Sequence, residues 1–317
     1  MSDAREVAQA FWEDPSEPVP GEPRLRWTAS KPLPMPMVDK RPPAARTDKI
    51  ARTLRCPSCE SSDFRVSEAA YTCQACHSAY AVLPTGAIDF ITDETAAAAR
   101  LIDTENVSTH TYDVAARRII EEVAATGGLI LDCGAGSNGR RWDNVVQIEI
   151  KPYPNIDFLA TNQALPFRDD SFDAVFSLNV LEHVNDPWLC AREMMRVLRP
   201  GGIAYVVVPF LQPLHGYPDH YYNMTISGLR ETFRELGDVE LQFVPAAGQP
   251  IFTLDWILRS YLVGLPPSQQ ERLRGMTVGE ILDRGIMGFL ADPLTRDLSM
   301  EARTELASTT AAFVRKR

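Results

Sequence analysis

The stretch Leu129-Ile-Leu-Asp-Cys-Gly-Ala-Gly136 places an apolar run directly before a turn that contains two glycines. An apolar run that ends at glycine is typical of a buried strand in a parallel sheet. Gly134 and Gly136 carry no Cβ, so the backbone of this turn can approach a bound ligand closely. Asp132 places a carboxylate at the end of the strand, where it suits a cationic amino group and would repel a pyrophosphate. The stretch therefore predicts a ligand site at the carboxyl end of a buried strand.

The same turn reads G-x-G-x-x-G when Gly139 is included, which is the fingerprint of dinucleotide-binding folds. In those folds the turn leads into a helix whose N-terminus holds the pyrophosphate. Here only residues 140–144 separate Gly139 from the next predicted strand, so that helix has no room to form. A dehydrogenase is therefore disfavoured.

Strand and helix candidates alternate after residue 129, which predicts an α/β fold with a parallel sheet. The strand candidates are 129–133, 145–150, 157–160, 172–178, 203–208 and 239–244. The helix candidates before, among and after these strands are 94–102, 111–125, 187–198, 227–236, 252–263, 278–289 and 299–314. Gly127 and Gly128 are the predicted stop of the second helix.

Further features follow the first strand in a fixed order and together form a family pattern. Glu149 ends the second strand, where an acidic residue can accept hydrogen bonds from both hydroxyls of a ribose. The segments after it are Ala164-Leu-Pro-Phe167, Asp170-Ser-Phe-Asp173, Leu181-Glu-His-Val184 and Leu198-Arg-Pro-Gly-Gly202. Over residues 129–210 this pattern resembles the class I S-adenosylmethionine-dependent methyltransferases of the ubiquinone-biosynthesis type, which have a Rossmann-like sheet.

The resemblance implies where S-adenosylmethionine binds. The methionine end is expected near Ser177 and Asn179, and the adenine against Thr161, Asn162 and Gln163. The other implied contacts come from the first two strand ends, at Asp132, Gly134, Ala135, Gly136 and Glu149. The family usually has Asp at the position of Thr161, so the adenine amino group is expected to be held through Asn162 or the backbone.

The connections after the first and second strands are shorter than those of the family. Parallel neighbours normally need a crossover of about a dozen residues, yet only Lys151–Ile156 joins the second and third strands. At ~3.1 Å per residue this segment spans roughly 16–19 Å, which just allows a straight return. We therefore expect trimmed helices after strands one and two. The uncovered face needs the Cys-bearing unit, the C-terminal helices or a second subunit, so a homodimer stays open.

Two C-x-x-C pairs precede the predicted sheet, with thirteen residues between them. Four thiolates at this spacing complete the closed tetrahedron of a structural zinc site, and no thioredoxin pattern supports a redox role. A closed site has no open coordination position, so the zinc is expected to fold the module and not to catalyse. The predicted ligands are Cys56, Cys59, Cys73 and Cys76.

The residues around these cysteines carry a second resemblance. Tyr80-Ala-Val82 and Gly86-Ala-Ile88 follow the second pair. With the cysteines they resemble the small zinc-ribbon activator subunit that partners tRNA, rRNA and translation-factor methyltransferases, over about forty residues. His77 directly follows Cys76, where ligation by both is awkward, and is interpreted as a bystander.

Three histidines near strand ends are candidate general bases, which a hydroxyl acceptor requires. His215 and His220 follow the fifth strand, in a loop that in this fold is expected to lie over the acceptor pocket. His183 follows the fourth strand. Structural roles are the alternatives: the Glu182–His183 pair would then orient its loop, and tyrosine and histidine hydrogen bonds would hold residues 209–222.

Composition and charge narrow the function classes. The net charge is −10, and nine Lys or Arg concentrate between residues 24 and 55, so the chain from Cys56 onward is acidic. An acidic body neutralises phosphates poorly, which makes a nucleic-acid partner unlikely. No apolar run reaches the ~18 residues of a membrane span, and the N-terminus does not look like a signal peptide. Four of the six cysteines form two C-x-x-C pairs, which is typical of metal ligands in a reducing compartment, so a cytoplasmic location is expected.

The expected organisation is a Pro-rich basic arm over residues 1–50, a zinc ribbon over 51–92, a methyltransferase domain over 93–245 and a helical extension over 246–317. The expected function is methyl transfer from S-adenosylmethionine to a small or medium-sized acceptor, at oxygen rather than nitrogen or carbon. Two alternatives stay open. One is an RNA methyltransferase, since the large-subunit rRNA guanine enzymes also place a Cys-rich zinc unit before a class I domain. The other is a non-catalytic methyltransferase-fold scaffold.

Overall fold

The computed structural model describes residues 44–101, 111–137, 141–216, 219–240, 244–245, 248–313 and 315 of the chain. These residues group into two compact units. The first comprises the described parts of Met1–Val208 and Met224–Phe243, and the second those of Pro209–Asn223 and Val244–Arg317. The predicted basic arm lies outside the described residues as far as residue 43.

The first unit begins with helix α1 (Ala44–Ala51) and a small antiparallel sheet in the order β1-β2-β3. The strands are β1 (Phe64–Val66), β2 (Ala70–Cys73) and β3 (Ala79–Ala81). Strands this short bury too little apolar surface to be stable alone. A module of this kind needs a staple such as a metal ion, or support from a neighbouring core.

The six remaining strands form one sheet in which every neighbouring pair is parallel. They are β4 (Ile88–Asp89), β5 (Ile130–Cys133), β6 (Val145–Glu149), β7 (Phe158–Leu159), β8 (Phe172–Leu178) and β9 (Leu198–Val207). The order is β4-β7-β6-β5-β8-β9, so the chain steps outward from β5 through β7 and then crosses to β8 on the other side. Open α/β sheets bind ligands at such a switch point, beside the carboxyl ends of the strands. The predicted Rossmann-like fold is confirmed.

Helix α2 (Asp93–Ala98) leads into helix α3 (Val114–Ala125), which covers one face of the sheet. Asp113 begins α3 by accepting a 2.8 Å hydrogen bond from the amide of Ala116, and Gly127 ends it with a φ of +69°. Apolar residues spaced three or four apart form the buried stripe that holds an amphipathic helix on a sheet. Those of α3 are Ala116, Ile119, Ile120 and Val123, which pack in one cluster with Ile130, Val145 and Phe176.

The connections from β5 to β6 and from β6 to β7 contain no helix in the part of them that the structure describes, as their short length predicted. The Cys-bearing unit supports this edge of the sheet. Its last segment is β4, whose Ile88 and Asp89 pair with Phe158 and Leu159 of β7. Its first segment forms an antiparallel bridge from Leu54 to Phe167. The unit is therefore joined to the sheet at two places.

A row of aromatic rings continues this contact into the sheet. Tyr80 of β3 lies 4.6 Å from Phe90, which lies 5.8 Å from Phe158 of β7. The ring centroid of Phe167 lies 5.5 Å from that of Phe158 and 5.0 Å from that of Phe172 of β8, where the row ends. All five rings are buried. Aromatic pairs of this kind stabilise by roughly 0.5–1.5 kcal/mol each beyond their buried area, so the Cys-bearing unit and the sheet share one core.

Strand β9 begins at Leu198, earlier than the predicted start at residue 203. Phe172 pairs with Leu198 whereas Ala174 pairs with Ile203, so the extra residues form an irregularity in β9. Gly201 lies inside it with a φ of +76°, which glycine adopts without strain. The Leu198–Gly202 motif is thus a bulge in a strand. A strand was predicted over 239–244, but residues 239, 240 and 244 are not in a strand. Residues 241–243 lie outside the described part.

Helices α4 (Pro187–Val197) and α5 (Ile226–Phe233) complete the first unit and confirm the two helices predicted there. Asp186 begins α4 by accepting a 2.8 Å hydrogen bond from the amide of Leu189. The helix packs against β9 and α5. Its buried residues are Pro187, Cys190, Ala191, Met194 and Val197.

The second unit is helical. Its helices are α6 (Pro250–Val263), α7 (Pro267–Gly275), α8 (Val278–Leu290), α9 (Pro293–Arg296) and α10 (Met300–Glu305). The helix predicted over 252–263 is confirmed. The one predicted over 278–289 is present but kinked at Gly285, whose φ of +65° is not helical. The last predicted helix ends well before residue 314. Serine and threonine at 308–310 have low helix propensity and explain the early end. The core of the unit consists of Leu265, Leu294, Leu298 and Ala302.

A buried carboxylate joins three helices of this unit. Asp292 caps α9, accepts hydrogen bonds of 2.7 and 2.9 Å from Arg272 of α7, and pairs with Arg284 of α8. The Arg272 hydrogen bonds, the Leu294 amide and Arg284 lower the pKa of Asp292 to about 2. Within the described ranges, no helix combines the length and the apolar character needed to cross a bilayer.

Candidate functional site at the carboxyl ends of the parallel strands

The turn after β5 lies at the switch point of the sheet. Gly134 and Gly136 have φ values of +91° and +55°, in the left-handed region that favours glycine. A Cβ on Gly134 would lie 2.6 Å from Cγ2 of Val180, so a larger residue would displace the segment after β8. The amides of Gly134 and Ala135 both donate to the carbonyl of Ile148, at 3.1 and 3.0 Å. The turn is thus held between β6 and the end of β8.

Asp132 lies fully buried at the end of β5. The Tyr112 hydroxyl donates a 2.5 Å hydrogen bond to its Oδ2, and Nε2 of Gln147 donates to the Tyr112 hydroxyl at 3.3 Å. Burial, together with the negative charge of Glu149, outweighs the Tyr112 hydrogen bond and raises the pKa of Asp132 to about 7. Oδ1 of Asp132 has no hydrogen-bond partner among the described residues. The buried carboxylate is therefore poised to receive a donor.

Glu149, at the end of β6, faces the glycine turn. Its Oε2 accepts a 3.0 Å hydrogen bond from the amide of Gly136, and its Oε1 accepts a 2.7 Å bond from the amide of Ile150. Burial raises the pKa of Glu149 even though these two amides lower it. Each carboxylate oxygen can accept more than one hydrogen bond, so the group retains capacity for hydroxyl donors.

The residues predicted to border the adenine and the methionine end are placed as follows. Thr161, after β7, and Ser177, on β8, are buried, and their hydroxyl oxygens have no partner among the described residues. Asn179 follows β8 with a φ of +55°. Asn162 is half-buried. The side chain of Gln163 donates to Asn185 at 2.6 Å and so contributes to a contact between loops.

These observations fit a polar ligand at the strand ends. Buried polar side-chain atoms in native proteins almost always have a hydrogen-bond partner. Three of the atoms without a protein partner in the described part belong to predicted cofactor residues: Asp132, Thr161 and Ser177. S-adenosylmethionine offers an ammonium group, ribose hydroxyls and an adenine amino group, which match carboxylate and hydroxyl acceptors. The residues present therefore fit this cofactor.

Three polar residues near this site were not singled out from the sequence as ligand contacts. Tyr112 immediately precedes the cap of α3. Gln147 is a polar residue inside the otherwise apolar strand β6, and this break in the apolar run is the signal by which the sequence could have identified it. Glu182 is fully buried, and neither of its oxygens has a hydrogen-bond partner in the described part. Burial raises the pKa of Glu182 to about 8. The nearest ring nitrogen of His183 lies 3.8 Å from Oε1 of Glu182.

The other two candidate histidines belong to the second unit and contact each other, with ring centroids 4.3 Å apart. Nδ1 of His215 lies 2.8 Å from the carbonyl oxygen of Pro213. Because a carbonyl only accepts, Nδ1 carries the proton and Nε2 the lone pair. Burial lowers the pKa of His215. His220 accepts from the His215 amide through Nδ1 at 3.2 Å, and its Nε2 therefore donates to Asn223 at 3.0 Å. Both nitrogens of His220 thus hold the loop.

The four predicted metal ligands converge in the first unit. Their sulfur atoms all lie within 4.8 Å of one another. The Sγ atoms of Cys56 and Cys76 are 3.6 Å apart, and those of Cys59 and Cys73 are 3.5 Å apart. A tetrahedron of thiolates at the usual Zn–S distance of ~2.3 Å has edges of about 3.8 Å. The donor set and its spacing therefore fit one zinc ion.

The two Cys pairs have the same backbone geometry. In each pair, the carbonyl of the first cysteine accepts a hydrogen bond from the amide four positions later. The amide of Glu60 donates to Cys56 at 2.8 Å, and that of His77 donates to Cys73 at 3.0 Å. These two residues have equal φ values of +64°. His77 is therefore the counterpart of Glu60, a left-handed residue that closes the second turn, in agreement with its interpretation as a bystander.

Comparison with known proteins finds methyltransferases among the proteins similar to this chain. Residues 131–206 match the family described as a methyltransferase domain. An uncharacterized methyltransferase of Mycolicibacterium vanbaalenii is 49% identical over 59 residues, which are 18% of this chain and 23% of that protein. The matched segment thus spans about a quarter of the length of such curated relatives.

Two solved structures are similar to the chain. One comes from the complex between the Haloferax volcanii Trm112 methyltransferase activator and the putative methyltransferase, with 23% identity, a TM-score of 0.28 and coverage of 38% of this chain and 70% of that chain. The other is the YcgJ protein of Bacillus subtilis, with 18% identity, a TM-score of 0.31 and coverage of 53% and 88%. The segment that matches the methyltransferase-domain family, residues 131–206, contains β6, β7 and β8 and most of β5 and β9.

Proposed function

We propose that the chain is an S-adenosylmethionine-dependent methyltransferase that methylates an oxygen of a small or medium-sized acceptor. One observation carries the proposal: the segment that matches the methyltransferase domain ends its strands in a glycine turn flanked by two carboxylates, the buried Asp132 and the half-buried Glu149. Both carboxylates are adjacent to the turn that resembles the family's cofactor turn.

In this proposal each strand end has a role. Asp132 accepts from the ammonium group of the cofactor, and Glu149 accepts from its ribose hydroxyls. Gly134, Ala135 and Gly136 let the backbone lie against the ligand. Thr161, Asn162 and Gln163 border the adenine, and Ser177 and Asn179 border the methionine end. When bound, the cofactor supplies an electrophilic methyl group on a sulfonium, so the protein mainly has to position the acceptor.

An oxygen acceptor also has to lose a proton, and His215 is the residue best suited to take it. Its Nδ1–H is fixed on the Pro213 carbonyl, and burial keeps the ring neutral at pH 7 by lowering its pKa. In this tautomer, a proton taken from the acceptor would go to Nε2. His220 is assigned to holding the loop because both its nitrogens are engaged. His183 remains the second candidate base.

The four cysteines are assigned to one structural zinc ion held by Cys56, Cys59, Cys73 and Cys76. Its role is to fold the ribbon that supports the sheet edge through β4 and the aromatic row. Zinc bound by four thiolates has no open position for a substrate. The metal therefore acts on stability and not on the methyl transfer.

The proposal is tested by incubating the full chain with tritium-methyl-labelled S-adenosylmethionine and a cell extract divided into small-molecule, RNA and protein fractions. Label is expected in the small-molecule fraction, in a form that hydriodic acid releases as methyl iodide, as it does from methyl ethers, and a Gly134→Val protein should give none. Label confined to RNA would support the RNA methyltransferase alternative. Cofactor binding without label in any fraction would support a non-catalytic scaffold.

A further inference from the structure

A buried chain of hydrogen bonds with a fixed direction leads to Asp132. Gln147 and Asp132 are fully buried, and Tyr112 is 5% exposed. The Gln147 amide nitrogen can only donate, so the Tyr112 hydroxyl accepts from it and gives its own proton to Oδ2 of Asp132. The 2.5 Å distance of the second bond is typical of a charge-assisted hydrogen bond. One oxygen of the carboxylate is therefore fixed by the protein.

The other oxygen of Asp132 has no hydrogen-bond partner among the described residues. The groups that act on its charge come from two elements. Tyr112 approaches from the residues before α3, and Glu149 lies on β6. The residue paired with Asp132 on β8 is Phe176, which carries no charge. In the part of the chain that is described, the Asp132 carboxylate is thus faced by one hydroxyl and one further carboxylate. A cation would supply the opposite charge that these groups do not provide.

We propose that Tyr112 is a positioning residue: it holds one oxygen of Asp132 and aims the other at the ammonium group of S-adenosylmethionine, so that cofactor binding releases a proton from Asp132. This inference rests on the proposed function. The bound cation replaces the proton as the partner of the carboxylate, and Tyr112 stabilises the ionised form that remains. Neither Tyr112 nor proton release follows from the family pattern in the sequence.

The sign of the pH dependence follows from the charges. The pKa of free Asp132 is raised to about 7 by burial and by Glu149. The cationic ligand binds the ionised form, so affinity rises as the pH rises through about 7 and levels off above it. Tyr112 lowers this pKa through its hydrogen bond. Tyr112→Phe should therefore move the midpoint of the affinity profile to higher pH, which a merely structural role would not do.

The chain offers a matched control. Tyr205 is also buried in the same apolar cluster, and its hydroxyl donates a 2.6 Å hydrogen bond to Oδ2 of Asp113, next to Tyr112 in the sequence. Tyr205→Phe removes the same kind of bond from the cap of α3. It should weaken folding without moving the midpoint of cofactor binding.

The test is isothermal titration of the full chain with S-adenosylhomocysteine from pH 5.5 to 8.5, in buffers with different heats of ionisation. The wild-type protein should release about half a proton per ligand at pH 7, because the pKa of Asp132 lies close to that pH. The proton release measured with an Asp132→Asn protein gives the part that comes from Glu149. Tyr112→Phe should bind about 10-fold more weakly at pH 7, with the difference shrinking at higher pH.

The outcomes separate this inference from the proposed function. If Tyr112→Phe has the same affinity midpoint as the wild type, the inference is overturned. Cofactor binding by the wild type would still support the proposed function. Should Tyr112→Phe fail to fold, the wild-type protein decides: absence of proton release near pH 7, or equal release by Asp132→Asn, also overturns it. Absence of binding by the wild type at every pH rejects the proposed function itself.

Discussion

The amide of Gly136 donates a 3.0 Å hydrogen bond to the carboxylate of Glu149, and this bond joins the glycine turn after β5 to the end of β6. The second oxygen of Glu149 is held by the amide of Ile150. The carboxylate is therefore fixed in place before any ligand arrives. Fixed acceptors of this kind bind a ligand without having to be ordered first.

Replacing Glu149 by Ala should weaken S-adenosylhomocysteine binding by ~2–4 kcal/mol, because two hydrogen bonds to ribose hydroxyls are lost. Glu149→Gln is the control: it keeps the size of the side chain and one carbonyl acceptor, and it should lose less. Calorimetry measures both. Wild-type affinity in Glu149→Ala would show that the ribose lies elsewhere.

The aromatic row between the ribbon and the sheet gives a prediction about stability. Phe90 lies between Tyr80 and Phe158 and is 2% exposed. Phe90→Ala should lower the free energy of unfolding of the chain by ~3–5 kcal/mol, since it leaves a cavity in the shared core. Val66→Ala on β1, where the side chain is 55% exposed, should change it little. Urea denaturation measures both, and equal effects would mean that the ribbon is not part of the core.

Much of this architecture could be predicted from the sequence because it depends on local patterns. Apolar runs predict β5 and β8, and the spacing of apolar residues predicts α3. The Cys pairs predict the Cys-bearing unit. The pairing of β4 with β7 could not be predicted, because a two-residue strand has no detectable period. Tyr112 was missed for a similar reason: its partner lies twenty residues away, and only the fold brings the two together.

The proposed zinc site predicts a metal stoichiometry. Elemental analysis of the purified chain should give about one zinc per chain. Cys73→Ser should lose the metal and destabilise the ribbon. Cofactor binding should be retained, because β4, the one strand of the ribbon in this sheet, is not a neighbour of β5, β6 or β8. The control is His77→Asn, which should keep the zinc, since Asn tolerates the left-handed backbone at this position. Loss of zinc in His77→Asn would instead make His77 a ligand.

The histidine loop predicts unequal effects of two neighbouring substitutions. His215→Ala should slow methyl transfer by ~10²–10⁴-fold with cofactor affinity nearly unchanged. His220→Ala should have a smaller effect, which arises from loss of loop order. The rate should fall as the pH drops through the pKa of His215, which burial places below the usual ~6.5. Equal rates in the wild type and His215→Ala would leave His183 as the candidate base, or no base at all.

Equilibrium dialysis of the full chain against labelled S-adenosylmethionine tests the central claim most directly. One molecule is expected to bind per chain, displaced by S-adenosylhomocysteine and not by NAD, since Asp132 repels a pyrophosphate. Gly134→Val, with its circular dichroism spectrum retained, is expected to bind none, because a side chain there meets Val180 and the backbone has a φ of +91°. No binding by the wild type, displacement by NAD, or full binding by Gly134→Val would contradict the claim.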